Sequence, residues 1–402
     1  MKNFFRSLMF GLLMLAVTSV AVVPSYAQDD ELAKKTALYE KYTSNYNGTV
    51  EQMKIALEAG REYVQKYGAN ADDKPQVDFI KADIPRLEAA IEADRKAKIA
   101  AAEAARKNAL YGRFDSSVKS KNWAETYKAG REILAEEPNL VDVILVLGSI
   151  GLDESQKNPP VTTFNNDTIQ FANLAISKLN SGVESKNYGA YQFAYKNKDF
   201  PDGKSNALGW MNYTIGYIMY YRMNKKQEAI PYLYKATQFN SGTKSTPAIY
   251  ATIGDEYFST VVKMQDERDK WDKTEEGWAD KVKQSVAKEK AYVDRAIDAY
   301  ARAYALVRAN PKTPAVYKAN ILKVLKDLYE FRYQKPEMKT ISKINADVTS
   351  IVGKPMPNPA TTPTVETPAM DKTTEATDGT KTGNTRSRMA TPKTSAVKNQ
   401  LR

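Results

Sequence analysis

Apolar positions along this chain recur every three or four residues, the period of a helix with one buried face. Between residues 207 and 240 the pattern makes two amphipathic segments joined by the polar Asn224-Lys225-Lys226. Gly216 sits midway along the first segment, and Ala229 and Ala236 lie two turns apart on the second. Small residues at such places let two helix backbones approach while large neighbours fill the space around them. Residues 31–46 and 49–67 read as another helical pair, with Met53, Ala56, Leu57, Gly60 and Val64 on one face and Gly68-Ala69-Asn70 as a stop. Pro75 and Pro85 mark the entry into a long helix reaching about Phe114. Its middle, residues 88–109, is rich in alanine and alternating charge, so it has strong helix propensity and little to bury. A coiled-coil dimer is the sharper reading of that stretch, but it carries no sustained apolar heptad.

Further along, residues 123–136 predict a helix, residues 141–152 follow Pro138, and Thr168 and Ala175 mark the next. Residues 181–206, rich in glycine, asparagine and aromatics, read as an ordered insertion. Thr246-Pro247 and Thr313-Pro314 each place threonine as N-cap before proline at the first helical position, a favoured helix start. A charged insertion, residues 263–292, lengthens one pair into a protruding hairpin with its turn near Asp272-Lys273-Thr274. The last pair spans residues 314–333 and 336–351, where Met338, Ile341, Ile344, Val348 and Ile351 form one apolar stripe. From Pro355 onward large apolar residues are sparse, so residues 354–402 are expected to form a disordered basic tail rich in Thr, Pro and Lys.

The helical units echo one another. Ala59-Gly60-Arg61-Glu62 returns as Ala129-Gly130-Arg131-Glu132, and Pro138 stands ten residues before Gly148. Tyr250, Ile253, Gly254 and Tyr257 on one helix are answered by Ala296, Tyr300 and Ala303 on its partner. These spacings resemble the tetratricopeptide (TPR) repeat, a helical hairpin of about 34 residues. The resemblance covers residues 120–335 and extends more faintly to residues 30–352. It implies an all-α fold of stacked helical hairpins, a right-handed α-solenoid whose first helices line a concave groove. It also implies a binding scaffold that takes a protein or peptide partner in that groove. The expected organisation is a signal peptide (1–27), an N-terminal helical region (28–119), a TPR-like domain (120–353) and the tail.

Composition narrows the chemistry. Lys2 and Arg6, the uncharged apolar run 8–23, Pro24 and Ser25-Tyr26-Ala27 form a secretory signal with a cut expected before Gln28. The run is shorter than the roughly 20 residues of a membrane span, so cleavage is favoured over anchoring. The mature chain is therefore expected in the periplasm or outside the cell. It has no cysteine, so stability must come from packing rather than disulfides. It has no histidine, which excludes Ser-His-Asp triads and His-based zinc sites. No carboxylate spacing makes an acid–base pair or a metal cage, so neither enzymatic activity nor a cofactor is expected. The net charge is +11, and +9 without Lys2 and Arg6, a balance that suits anionic partners as well as solubility. No nucleic-acid motif accompanies it.

Two surfaces are candidate sites. Trp210, Tyr213, Tyr217, Tyr220 and Tyr221 concentrate aromatic area on one helix, with Tyr188, Tyr191, Phe193 and Tyr195 just upstream. Tyr and Trp join a flat apolar body to a polar tip, which suits peptide or sugar recognition. Gly216 and Ala229 are thirteen apart, one more than the TPR spacing, so these rings face either the groove or the core. Trp271 and Trp278 either pack the base of the charged hairpin or, solvent-exposed, offer a docking surface. The second candidate is the tail, where from Gly379 to Arg402 the six basic residues Lys381, Arg386, Arg388, Lys393, Lys398 and Arg402 stand with no acid among them. The alternative function is a cell-envelope-binding protein whose tail contacts anionic lipid, glycan or polymer.

Overall fold

A computed structural model describes residues 26–363, and among these the chain is all-helical with no strand. In order the helices are α1 (Tyr26–Thr43), α2 (Val50–Tyr67), α3 (Lys74–Lys119), α4 (Trp123–Glu136), α5 (Val141–Leu147), α6 (Ile150–Ser155), α7 (Asn165–Asn180), α8 (Gly203–Tyr221), α9 (Lys226–Gln238), α10 (Pro247–Arg268), α11 (Trp278–Ala309), α12 (Ala315–Tyr333) and α13 (Ile341–Val352). Among the described residues no helix is long and apolar enough to cross a membrane. The expected signal segment, residues 1–25, lies outside them. Pro85, read from sequence as an entry point, lies inside α3 instead. One lost backbone bond is tolerated in a 46-residue helix whose surface carries pairs such as Lys74–Asp78, Arg95–Glu92 and Lys98–Asp94.

The chain divides into two compact units at Ala109/Leu110, ten residues before the boundary drawn from sequence. Leu110, Phe114 and Val118 of α3 pack with Trp123, Tyr127 and Ile133 of α4, which assigns the end of α3 to the second unit. In the first unit Tyr42, Ala56, Ala59, Tyr63, Val77, Ile80 and Leu87 form the core. A reciprocal Thr49–Gln52 capping box starts α2.

In each unit, large buried residues meet small ones. The recurrence at Gly60 and Gly130 has a packing cause: a Cβ at Gly60 would lie 2.9 Å from Ile80 Cγ2, and one at Gly130 would lie 2.8 Å from Leu147 Cδ1. The pairs α8/α9 and α10/α11 repeat the device, with Gly216 against Leu233 and Gly254 against Tyr300. At Gly254 an added Cβ would sit 2.5 Å from Tyr300 Cδ2 and 3.4 Å from Ala296 O. Tyr300 is 1 % exposed, so it has no room to yield.

The insertion before α8 is held from below by Asp142. That carboxylate accepts from Ser185 Oγ at 2.5 Å and from Gly189 N at 2.7 Å, while Tyr188, Phe193 and Tyr195 sink into the core. The charged hairpin turns where expected, with Asp272 Oδ1 accepting from Thr274 N and Oγ1 at 2.9 and 2.7 Å. Trp271 and Trp278 sit half-buried at its tip rather than its base, and Lys281 lies 4.9 Å over the Trp271 ring. Of the terminal stripe, Ile344 and Val348 are fully buried, and Ile341 is largely exposed.

The expected disordered tail begins too early in the sequence reading. Residues 355–363 pack against the second unit: Met356 joins its core and Pro363 is also buried. Tyr234 Oη donates to Met356 O at 3.3 Å, and Arg295 donates to Asn358 O and Thr361 Oγ1 at 3.1 and 2.9 Å. One buried methionine and a few main-chain acceptors anchor a segment whose average composition reads as unfolded. Residues 364–402, including all six basic candidates of the tail, lie outside the described residues.

Three variants check this packing. Gly254→Leu is expected to cost ~1–3 kcal/mol by overpacking against Tyr300. Gly112→Ala, where nothing lies within 4 Å of the new Cβ, should gain up to ~1 kcal/mol of helix propensity. A stabilised Gly254→Leu in urea denaturation would contradict the close approach. Truncation after Lys354 should lower the Tm by more than ~3 °C, about 1 kcal/mol at this size; an unchanged Tm would mean that residues 355–363 contribute no packed surface.

Candidate functional site

Asp202 caps α8 by accepting from Ser205 N at 3.0 Å, and the helix then runs as a nearly unbroken buried segment. Residues three and four apart share a helix face, so its aromatics form a continuous stripe. Ring centroids are 5.8 Å apart for Trp210–Tyr213 and Tyr213–Tyr217, 4.8 Å for Tyr217–Tyr221 and 4.9 Å for Tyr220–Tyr221. The stripe is graded. Tyr213 and Tyr217 are core residues, Trp210 and Tyr220 are half-buried, and Tyr221 is 40 % exposed. The question left open by the thirteen-residue spacing thus has a mixed answer: most of the stripe is packing, and its C-terminal edge reaches the surface. Upstream, Tyr191 is 41 % exposed, with Lys119 5.3 Å over its ring.

Charged partners fix the edge of the stripe. Arg222 lies 5.6 Å over the Tyr217 ring and donates to its hydroxyl at 3.2 Å. The same guanidinium is clamped on Ser155 O at 2.8 and 2.6 Å. Lys226 lies 5.5 Å over the Tyr220 ring. Such contacts hold a cation over the negative face of a ring.

α10 supplies polar groups beside this edge. Thr252 Oγ1 donates to Ala248 O at 2.8 Å, so in its 2.6 Å contact with Tyr221 Oη the tyrosine is the donor. Tyr300 Oη, from α11, donates to Asp255 Oδ1. Tyr317 of α12 comes within electrostatic range of Tyr221 and Asp255. Among the described residues, neither Tyr317 Oη nor Glu256 Oε1 makes a protein hydrogen bond, though both atoms are buried. Lys263 approaches the same Glu256 oxygen to 3.8 Å.

Burial governs the titration of the cluster. It pushes the Tyr221 hydroxyl up to about 12, with the Asp255 carboxylate adding to the effect. Burial also raises Tyr317 to about 12, helped by Tyr221 and Asp255. Tyr213 is raised well above the usual tyrosine range by burial, and Tyr220 is raised by burial and then by Asp255 and Glu256. Every one of these phenols is neutral at physiological pH, so the site offers hydrogen-bond donors and aromatic faces rather than a general base. Burial raises Glu256 above the usual glutamate range, against the pull of Lys263 and Lys226.

Sequence reasoning found the stripe and missed what stands beside it. Thr252, Asp255, Glu256 and Tyr317 carry no local signal, because an acidic pair on an amphipathic helix ordinarily marks its solvated face. Among the described residues no group of three or more acidic side chains is disposed to hold a metal ion. No protein-family model, no curated protein and no solved structure matches the chain.

Glu256 gives the site a pH signature. Its carboxyl is neutral in both folded and unfolded chains at low pH. As pH rises past 4.5, the unfolded carboxyl ionises first while the buried one resists, so stability is lost through the folded value. Glu256→Gln removes that loss. Its Tm should match wild type near pH 4 and exceed it at pH 7; a lower Tm at pH 7 would mean that Lys263 and Lys226 more than compensate the buried charge.

Proposed function

We propose that the chain is an exported adaptor of TPR-like stacked hairpins that binds a protein or peptide partner along its first-helix face. The observation that carries this reading is the convergence of three first helices on one patch. α8 brings the accessible ring of Tyr221, α10 brings Thr252 and the Asp255 carboxylate, and α12 brings Tyr317. The glycine contacts within α8/α9 and α10/α11 support the hairpin reading, since each places a small first-helix residue against a large residue of its partner. Neutral phenols, an aromatic edge and buried carboxylates suit a partner that presents hydrogen-bond acceptors, apolar side chains and positive charge. The partner is expected to bind the body, with the basic residues of the tail adding a nonspecific attraction. Export rests on the charged start, the apolar run and Ser25-Tyr26-Ala27.

Capture from the source cell's envelope fraction tests this, using three baits at low and high salt: wild type, a truncation after Pro363, and Tyr220→Ala/Tyr221→Ala. Proteins held by the wild type and the truncation at both salts, and lost with the tyrosine pair, are the expected result. Apolar and aromatic contacts are little screened, whereas tail contacts weaken above ~0.15 M salt, where the Debye length is about 8 Å. Capture lost on truncation and kept by the tyrosine variant would replace the adaptor with an envelope-binding protein.

A further inference from the structure

α11 has two working faces. Ala296, Tyr300 and Ala303 pack toward the core, while Arg295, Asp298 and Arg302 recur at helical spacing on another face. Arg302 holds Asp298 through Nε at 2.7 Å and Nη2 at 3.3 Å. Its Nη2 also reaches out to Ile351 O and Lys354 O at 3.0 and 2.8 Å. Arg295, 9 % exposed, has its ring-facing side 5.8 Å from Tyr257 and gives its outer N–H groups to Asn358 O and Thr361 Oγ1. Three of these four outward bonds end on main-chain carbonyls, so the two arginines read a backbone more than a sequence.

The segment they hold has the build of a peptide ligand. Pro355, Pro357, Pro359 and Pro363 fix their own φ and bias Lys354, Met356, Asn358 and Thr362 toward extended backbone. A chain already extended loses little freedom on docking, which is why proline-rich segments serve as recognition motifs. Residues 355–363 carry no charge, and their buried anchors are Met356 and Pro363. Asn358 rigidifies the middle, its Oδ1 accepting from Ala360 N at 2.9 Å.

We infer that the Arg295–Asp298–Arg302 face of α11, with Tyr234 of α9, is a binding site for extended, proline-interleaved peptide, occupied in the free chain by residues 355–363 as a releasable internal ligand. Met356 O and Asn358 O take the donors of Tyr234 and Arg295, and the Met356 and Pro363 positions supply selectivity. On release, the Arg295 guanidinium opens to water rather than stay buried without partners, while Arg302 keeps Asp298, Ile351 O and Lys354 O. A peptide arriving from outside must displace a segment tethered by Gly353 and Lys354, whose effective concentration is on the order of millimolar.

The test uses the full chain with residues 355–363 replaced by a Gly/Ser stretch of equal length, and a fluorescent synthetic peptide of residues 353–363 as probe. By anisotropy the replaced chain should bind the probe at least ~10-fold more tightly than wild type, because the tethered competitor is gone. Adding Arg295→Ala to the replaced chain should cost ~10-fold or more of that affinity, the loss of charge-assisted hydrogen bonds. Equal or absent binding by the replaced chain overturns the inference, and so does loss of its helical circular dichroism, since the segment would then be part of the fold. Hydrogen exchange on the wild type gives an independent reading. The amides of Met356, Asn358 and Thr361 should exchange at least ~100-fold faster than those of Tyr300 and Ala303, reflecting local release. Exchange at the core rate overturns the proposal.

Discussion

Gly254 leaves open the space that Tyr300 fills, and the arrangement around the candidate site depends on that contact. With no Cβ at 254, α10 and α11 approach until the buried Tyr300 ring lies against the α10 backbone. Its hydroxyl then reaches Asp255, one residue along, and fixes that half-buried carboxylate. Thr252, one turn back, receives Tyr221 from α8. Tyr317 of α12 feels both Tyr221 and Asp255. A single small-against-large contact therefore sets the spacing of side chains drawn from four helices.

The other face of α11 follows from the same helix. Once Tyr300 points toward α10, Arg295, Asp298 and Arg302 are turned away from it, and two guanidinium groups need acceptors. Residues 351–361 supply them from main chain and one hydroxyl. Packing on one face and docking on another are consequences of one register. The further inference and the adaptor reading use different faces and different partners, so neither rests on the other.

Much of the fold was legible because the signals were local. Thr246-Pro247 starts α10 at the expected place, and the repeated Ala-Gly-Arg-Glu marks Gly60 and Gly130, each of which meets a large apolar residue of the next helix. The aromatic stripe was legible as a stripe, but one extra residue between Gly216 and Ala229 left its direction open. Its inward turn at Tyr213 and Tyr217 depends on the core that other helices of the second unit build around it, which leaves no trace in α8 itself. The docked segment was invisible for a different reason. Averaged over residues 354–402, the composition is polar and proline-rich, whereas the docking depends on Met356 and on two arginines more than fifty residues earlier. Pro85 was misread as a boundary because local proline rules carry no information about the strength of the helix around it.

The most direct test of the central contact is a double-mutant cycle between Tyr300→Phe and Asp255→Asn, read by urea denaturation. Removing the hydroxyl alone takes one donor from a half-buried carboxylate, and removing the charge alone weakens the bond the hydroxyl makes. If Tyr300 and Asp255 hold α10 and α11 together as described, the two changes are non-additive, with a coupling of about 1–3 kcal/mol. Additivity within ~0.5 kcal/mol would contradict the account, because the helices would then be held without that bond.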